Sequence, residues 1–495
     1  MSVFLHVAFA PERRRRRIFF LLVLALVLPA LSDAPAFAEA RAKYVFLMIG
    51  DGMAEGQRIA AERFAAGERA ASGIKERRLA MNALPVQGVC ATHDADGRVT
   101  DSAAAGTALA CGRKTTTGRL AVDPEGLTLP TITQLARSAG MKVGIVSSVT
   151  LDDATPAAFY AHSVSRSAYY DIALQIPGSG VDYFAGGGLR RPTGPKKDRP
   201  DAFGPIRDAG YRVTATREEF DRLHAASGRV FAVLRPSPFD IDRTNDGISL
   251  AGFTAKGIEL LDNPKGFFLM VEGGKIDLAC HANDAATAVR ETIAFDDAVR
   301  VAYDFYRKHP RETLVVVLGD HETGGMSVDA ATAAETLFSV LRRQKNSYVR
   351  FSSTVETYVR THDARTARFG DVADDLAAFF GFRFPAGVAE GRGTAGGITL
   401  DETDVRELKA AFAQSVTGMR GRKAGKEMYR TYSEYEPLTV AATKILGRKA
   451  GIGWTTFVHT GAPMPVSAVG AGQELVRGSY DNTDVHAKLR AAMGL

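Results

Sequence analysis

Three stretches of this chain are apolar almost without a break: Tyr44-Val45-Phe46-Leu47-Met48-Ile49, Phe267-Phe268-Leu269-Met270-Val271 and Thr313-Leu314-Val315-Val316-Val317-Leu318. A strand with one wet face alternates apolar and polar residues. A run without that alternation must be covered on both faces, which is the situation of a strand inside a parallel sheet. Lys142-Val143-Gly144-Ile145-Val146-Ser147 reads the same way, and Val86 to Thr92 suggests a further strand. Helical patterns fall between them, over Gln57 to Ala66, Leu129 to Ala139 and Asp284 to Tyr306. Strands alternating with helices imply an α/β protein, a three-layer sandwich with a largely parallel central sheet.

Carboxylates stand at or just beyond the ends of these runs: Asp51 in Gly50-Asp51-Gly52-Met53, Glu272 closing the second run, and Asp320 after the third. In open α/β sheets ligands bind at the carboxyl ends of the strands. His321 adjoins Asp320, and Asp277 and His281 lie four residues apart. Carboxylate oxygen and imidazole nitrogen are zinc ligands. Asp51, Glu272 and the Thr155 hydroxyl suit a harder ion such as magnesium. Val99 to Ala108 adds a candidate nucleophile: small residues after Asp101-Ser102 fit a tightly packed helix with Ser102 at its start. Unpaired N–H groups and the positive dipole end at such a position suit a phosphate. Taken singly, each residue also has an ordinary role. Ser102 can be a helix cap, Asp51 a turn residue, Asp277 and His281 a solvated pair, Asp320-His321 a cap and Arg166 a surface cation.

The balance of 62 basic to 56 acidic residues gives no reason to invoke nucleic acid. Arg13 to Arg17, the apolar Ile18 to Leu28 and the small-x-small site Ala36-Phe37-Ala38 read as a signal peptide over residues 1–38. Without its five arginines and two acids, 57 basic and 54 acidic residues remain. No later stretch is long and apolar enough to span a bilayer, so the mature protein is expected to be soluble, in the periplasm or secreted. Cys90 and Cys111 flank the Ser102 stretch and are the favoured pair for a bridge; three buried free thiols are the equal alternative. Gly186 to Pro205, rich in Gly, Pro, Lys and Arg, reads as a long surface loop. Residues of about 330–449, with a Gly-rich break from Gly387 to Gly397, read as an insertion over the site within one domain of residues 39–495.

Six motifs in order then resemble the alkaline phosphatase family: Gly50-Asp51-Gly52-Met53, Thr100-Asp101-Ser102-Ala103, Asp153-Ala154-Thr155-Pro156 with Arg166, Val271-Glu272-Gly273-Gly274-Lys275-Ile276-Asp277 with His281, Asp320-His321, and His459-Thr460-Gly461. The resemblance implies a metal-dependent phosphate monoester hydrolase working through a phosphoserine at Ser102, with Arg166 gripping two phosphate oxygens. It implies two zinc ions, one on Asp277, His281 and His459, the other on Asp51, Asp320 and His321. It also implies one magnesium ion on Asp51, Thr155 and Glu272 with Asp153 beside it, and a homodimer. Leu278 departs from relatives with a basic or aromatic residue there, which predicts weaker phosphate binding. A phosphodiesterase of the same superfamily and a non-catalytic phosphate- or metal-binding protein are the alternatives. No Cys-x-Pro-x-Arg stretch supports a sulfatase, and Arg166 favours a terminal, dianionic phosphate over a diester.

Overall fold

A computed structural model describes residues 41–495 other than 73–77, 234–236, 364, 387, 389–395, 419–422 and 424. The leader-like residues 1–38 and most of the Gly387 to Gly397 break thus lie outside the described residues.

Among the described residues ten strands form the central sheet: β1 (Tyr44–Gly50), β2 (Val86–Ala91), β3 (Lys142–Ser147), β4 (Tyr183–Gly186), β5 (Arg212–Thr214), β6 (Val230–Val233), β7 (Phe267–Glu272), β8 (Thr313–Gly319), β9 (Met464–Gly470) and β10 (Gly478–Asp481). Their order is β10-β2-β9-β8-β1-β7-β3-β4-β6-β5. Only β9 runs antiparallel, against both β2 and β8; the other pairings are parallel. Register sets the site. Ile49 faces Glu272, Gly50 faces Gly319, and Ser147 faces Glu272. The carboxyl ends of β3, β7, β1 and β8 are therefore level, and the turns that leave these strands emerge on one edge.

The unbroken apolar runs are explained by cover on both sides. In β1, Tyr44, Phe46 and Met48 pack with α1 (Glu55–Ser72) and a 24-residue helix over Ala285–Lys308. Val45, Leu47 and Ile49 face the other way, with α2 (Ser102–Cys111) and the C-terminal helix Asn482–Met493. Phe46 and Leu47 are both fully buried, and each such side chain contributes about 1.5–3 kcal/mol. The result is a three-layer α/β sandwich.

Some boundaries shift for local reasons. The Leu129 to Ala139 helix begins only at Ile132, because Thr131 closes a capping box: Gln134 N–H donates to its hydroxyl and Thr131 N–H donates to Gln134 Oε1. Gly186 to Pro205 is a loop up to the short helix Phe203–Asp208. Helices fill the 330–449 region, from Ala334–Leu341 to Pro437–Lys449. Just outside it, Ser327–Val328 pairs antiparallel with Ile452–Gly453, so the segment leaves and returns at one place.

The favoured Cys90–Cys111 bridge is not formed; Cys90, Cys111 and Cys280 are free and buried. Cys90 sits in β2 and Cys111 at the end of α2, both packed in the same apolar layer as small hydrophobes. Burial pushes both thiols up to about 12. Among the described residues no helix is long and apolar enough to cross a membrane.

Candidate active site

Asp51 follows β1, Glu272 ends β7 and Asp320 follows β8. The turn after β1 brings them together: Gly52 N–H donates to Asp320 Oδ1 at 3.1 Å, and His321 N–H donates to the same oxygen at 2.9 Å. Gly52 has φ +71°, and a Cβ there would meet the Asp277 Cα at 2.9 Å, so glycine is required twice over. No helix follows Asp320-His321, which excludes their reading as a cap.

Two ligand sets result. Asp51, Asp320 and His321 form one buried group, and Asp277, His281 and His459 a second; within each, one donor atom per residue lies within 4.8 Å of the others. His321 Nε2 is 3.5 Å from both Asp51 Oδ1 and Asp320 Oδ2. Asp277 and His281 share a face of the helix α3 (Lys275–His281), with His281 Nε2 3.3 Å from Asp277 Oδ2 and His459 Nε2 3.6 Å from Asp277 Oδ1. The pair is largely enclosed, not solvated.

The outer hydrogen bonds fix how each imidazole is presented. His281 Nδ1 bonds the Phe457 carbonyl at 2.6 Å, and His459 Nδ1 the Thr100 carbonyl at 2.9 Å. A carbonyl only accepts, so both Nδ1 atoms carry hydrogen. For His321 the partner is Thr323 Oγ1, at 3.3 Å. That hydroxyl spends its one proton on the Asp277 carboxylate, so it accepts from His321 Nδ1–H. All three rings thus turn Nε2 inward. His281 Nε2 and His459 Nε2 stand 3.1 Å apart, an arrangement that two lone pairs tolerate only with a cation between them. In the protein alone a proton fills that need: although burial opposes it, Asp277 lifts His281 to about 9. Burial would raise Asp277, but the charge and hydrogen bond of His281 hold it far below the usual carboxylate range. His321, buried and facing two other imidazoles, is held well below its ordinary value.

The remaining carboxylates lack such compensation. Burial, and then repulsion from Asp320, Asp277 and Glu272, pushes Asp51 well up. Asp320 rises to about 7, by burial and the Asp277 charge. Glu272 rises to about 8, again mainly by burial, although Ser147 Oγ–H donates to it. Asp51 Oδ1, Asp320 Oδ2, Glu272 Oε1 and Thr155 Oγ1 are all buried without a hydrogen-bond partner among the described residues. Leaving such oxygens unmatched costs about 1–3 kcal/mol apiece, more when charged. This donor set, oxygen-rich at Asp51, Thr155 and Glu272 and mixed with imidazole elsewhere, fits bound divalent cations.

Ser102 stands against the first set, its Oγ 3.2 Å from His321 Nε2. It is not the cap of α2. Asp101 takes that role, accepting from Ala104 N–H at 3.0 Å, and Ser102 is the first helical residue. Asp101 Oδ2 also accepts from Arg166 Nη1 at 3.0 Å, while Arg166 Nη2 reaches Asp153 Oδ1 at 3.3 Å. Arg166 is therefore a braced cation, not a free surface one. Asp153 lies in turn 3.6 Å from Arg190 Nη1.

Sequence reasoning missed the supports. Besides Thr323 and Ser147 these include Glu322, which accepts from Gln57, Thr460, Gly325 and Met326 and so ties the Asp320 loop to the His459 strand. The one available signal was the polar run Asp320-His321-Glu322-Thr323 directly after a buried strand.

The alkaline phosphatase family model matches residues 42–186 and 193–495. Alkaline phosphatase 3 of Bacillus subtilis is 32% identical over 401 residues, covering 79% of this chain and 76% of that protein. The Escherichia coli alkaline phosphatase is 32% identical over 63% of this chain and 75% of its own length. Among solved structures, a cold-active alkaline phosphatase from Shewanella sp. superposes with TM-score 0.72 at 29% identity, over 91% of this chain and 99% of that one. With the candidate metal-ligand sets and the sheet that carries them, these matches place the chain in the alkaline phosphatase family of metal-dependent phosphoric monoester hydrolases.

Proposed function

We propose that this enzyme transfers the phosphoryl group of a phosphate monoester to Ser102 and then hydrolyses the phosphoserine. One zinc ion would be held by Asp277, His281 and His459, a second by Asp51, Asp320 and His321, and magnesium by Asp51, Thr155 and Glu272 with Asp153 beside it. Bound there, such ions supply positive charge that lowers the pKa of a hydroxyl or water and stabilises the entering and leaving oxygens of an in-line displacement.

The chain's own groups do the rest. Ser102 Oγ gives up its proton to solvent and attacks phosphorus as the bond from phosphorus to the ester oxygen breaks. The alcohol leaves with a proton from water, and a second water attacks phosphorus from the vacated side, breaking the Oγ–P bond, releasing phosphate and returning a proton to Ser102. Arg166 offers a planar fork to two phosphate oxygens, held in place by Asp101 and Asp153. Capping by Asp101 leaves the Ser102 hydroxyl uncommitted to the backbone. The observation that carries this reading is the contact of Ser102 Oγ with His321 Nε2, a ligand atom 3.5 Å from two carboxylates. Brief reaction with a radiolabelled aryl phosphate, quenched in acid, is expected to leave label on the peptide containing Ser102. Turnover with no trapped label, or label on another residue, overturns the phosphoserine route. The charged and apolar pattern of residues 1–38 supports work outside the cytoplasm, in the periplasm or medium.

Thr323 orients His321 and Asp277 together, so its loss reaches both zinc sets. Thr323→Val is expected to weaken zinc binding about 10- to 100-fold, with Thr323→Ser near the parent. Competition against a chromophoric chelator measures this; equal affinity in the valine variant means that Thr323 does not orient the ligands.

A further inference from the structure

One cavity opens beside the Arg166–Asp153 ion pair, lined on that side by Asp153, and the proposed transfer to Ser102 leaves it without a role. It is a cleft of about 770 Å³ whose lining includes Val149, Leu189, Leu278, Ser237, Asp153 and Arg190. Asp153, in that lining, is the carboxylate that braces Arg166. Val149, Leu189 and Leu278 are its apolar members, and Leu278 stays 39% exposed although it is a large aliphatic side chain on a mostly buried helix. Arg190, also in the lining, comes from the Gly- and Arg-rich loop that begins at Gly186. That guanidinium is half-exposed, stacked 4.8 Å over the Tyr169 ring and bonded to the Tyr169 hydroxyl at 3.0 Å. It is fixed in place with donors to spare, since an arginine has five.

We propose that this cleft is the subsite for the alcohol part of the substrate, and that the preferred esters carry an aryl or similar apolar body bearing a second acidic group. The body would lie on Leu278, Leu189 and Val149, and the acid would meet Arg190. This rests on the phosphomonoesterase reading and adds to it a substrate class. The geometry is suited to it: one carboxylate, Asp153, touches both Arg166 and Arg190, so an ester phosphate on the first lies next to the cleft that the second lines. Apolar contact and a guanidinium fork are the two recognition elements the wall supplies.

Phosphonates separate binding from leaving-group chemistry. Competitive inhibition constants for methylphosphonate, phenylphosphonate and 4-carboxyphenylphosphonate are measured on the metal-loaded enzyme. Phenylphosphonate is expected to bind about tenfold tighter than methylphosphonate, and the carboxyl compound about a further fivefold tighter. Leu278→Ser abolishes the first gain and Arg190→Gln the second, while methylphosphonate binding moves less than about twofold in Leu278→Ser. Equal affinity of the wild-type enzyme for the three compounds, or a uniform loss for all three in Leu278→Ser, overturns the subsite. Failure to hydrolyse phenyl phosphate at all overturns the underlying phosphomonoesterase reading instead.

Discussion

Ser102→Ala is expected to lower turnover of an aryl phosphate by roughly four orders of magnitude or more, because the proposed route loses the atom that forms the new bond to phosphorus. The same variant should keep its stability to within about 0.5 kcal/mol. Helix capping is already done by Asp101, whose carboxylate receives the Ala104 N–H, and the buried position accepts a methyl group. Were Ser102 merely a cap, the outcome would invert: about 1 kcal/mol of stability lost and activity retained. Steady-state kinetics and a thermal melt on one preparation separate the two readings. Asp101→Ala is the natural companion, since it removes both the cap and one brace of Arg166.

Stripping metal with a chelator is expected to abolish activity and to reverse the way stability responds to pH. In the metal-free chain Asp320 is raised to about 7 and Glu272 to about 8, with Asp51 well up beside them. A carboxyl whose folded value is raised binds its proton more tightly when folded than when unfolded. Its contribution is fully present below the unfolded value, near pH 4, and is lost as pH rises through the folded value. Below about pH 6.5 the lowered His321 works against this slope, and above it the raised His281 adds to it, so the chelated protein should lose on the order of 5 kcal/mol between about pH 6.5 and about pH 8. Divalent cations compete with those protons, so reloaded protein should hold or gain stability over the same window. Denaturant melts of both forms at several pH values decide the matter; parallel pH curves would mean that the carboxylates are not where the cations sit.

The centre of the fold was legible because its strands announce themselves. Tyr44–Ile49, Phe267–Val271 and Thr313–Leu318 are covered on both faces, and that cover requires unbroken apolar runs. The sheet's margins gave weaker signals. Arg212–Thr214 is three residues long and half wet, and Met464–Gly470 mixes Pro, Ser and Gly with its apolar residues. The antiparallel direction of that last strand depends on how the chain returns from the 330–449 region, which no local pattern encodes. At the site, the charged and imidazole residues stood out by type and position. Their supports did not: Thr323, Glu322 and Ser147 are common polar residues whose roles follow from partners up to 265 positions away. The cysteines show the same limit, since proximity in sequence to Ser102 says nothing about which side of a packed layer each sulfur occupies.

The imidazoles of His321 and His459 belong to different ligand sets yet lie stacked, ring centres 3.7 Å apart. Their backbones are joined as well, because His459–Thr460 pairs with Glu322–Thr323. Neither ring can swing to suit its own ion without pressing on the other. Filling one pocket thereby prepares its neighbour at no added cost, and a sample given half its complement should sort into fully charged and empty molecules instead of a population of singly occupied ones.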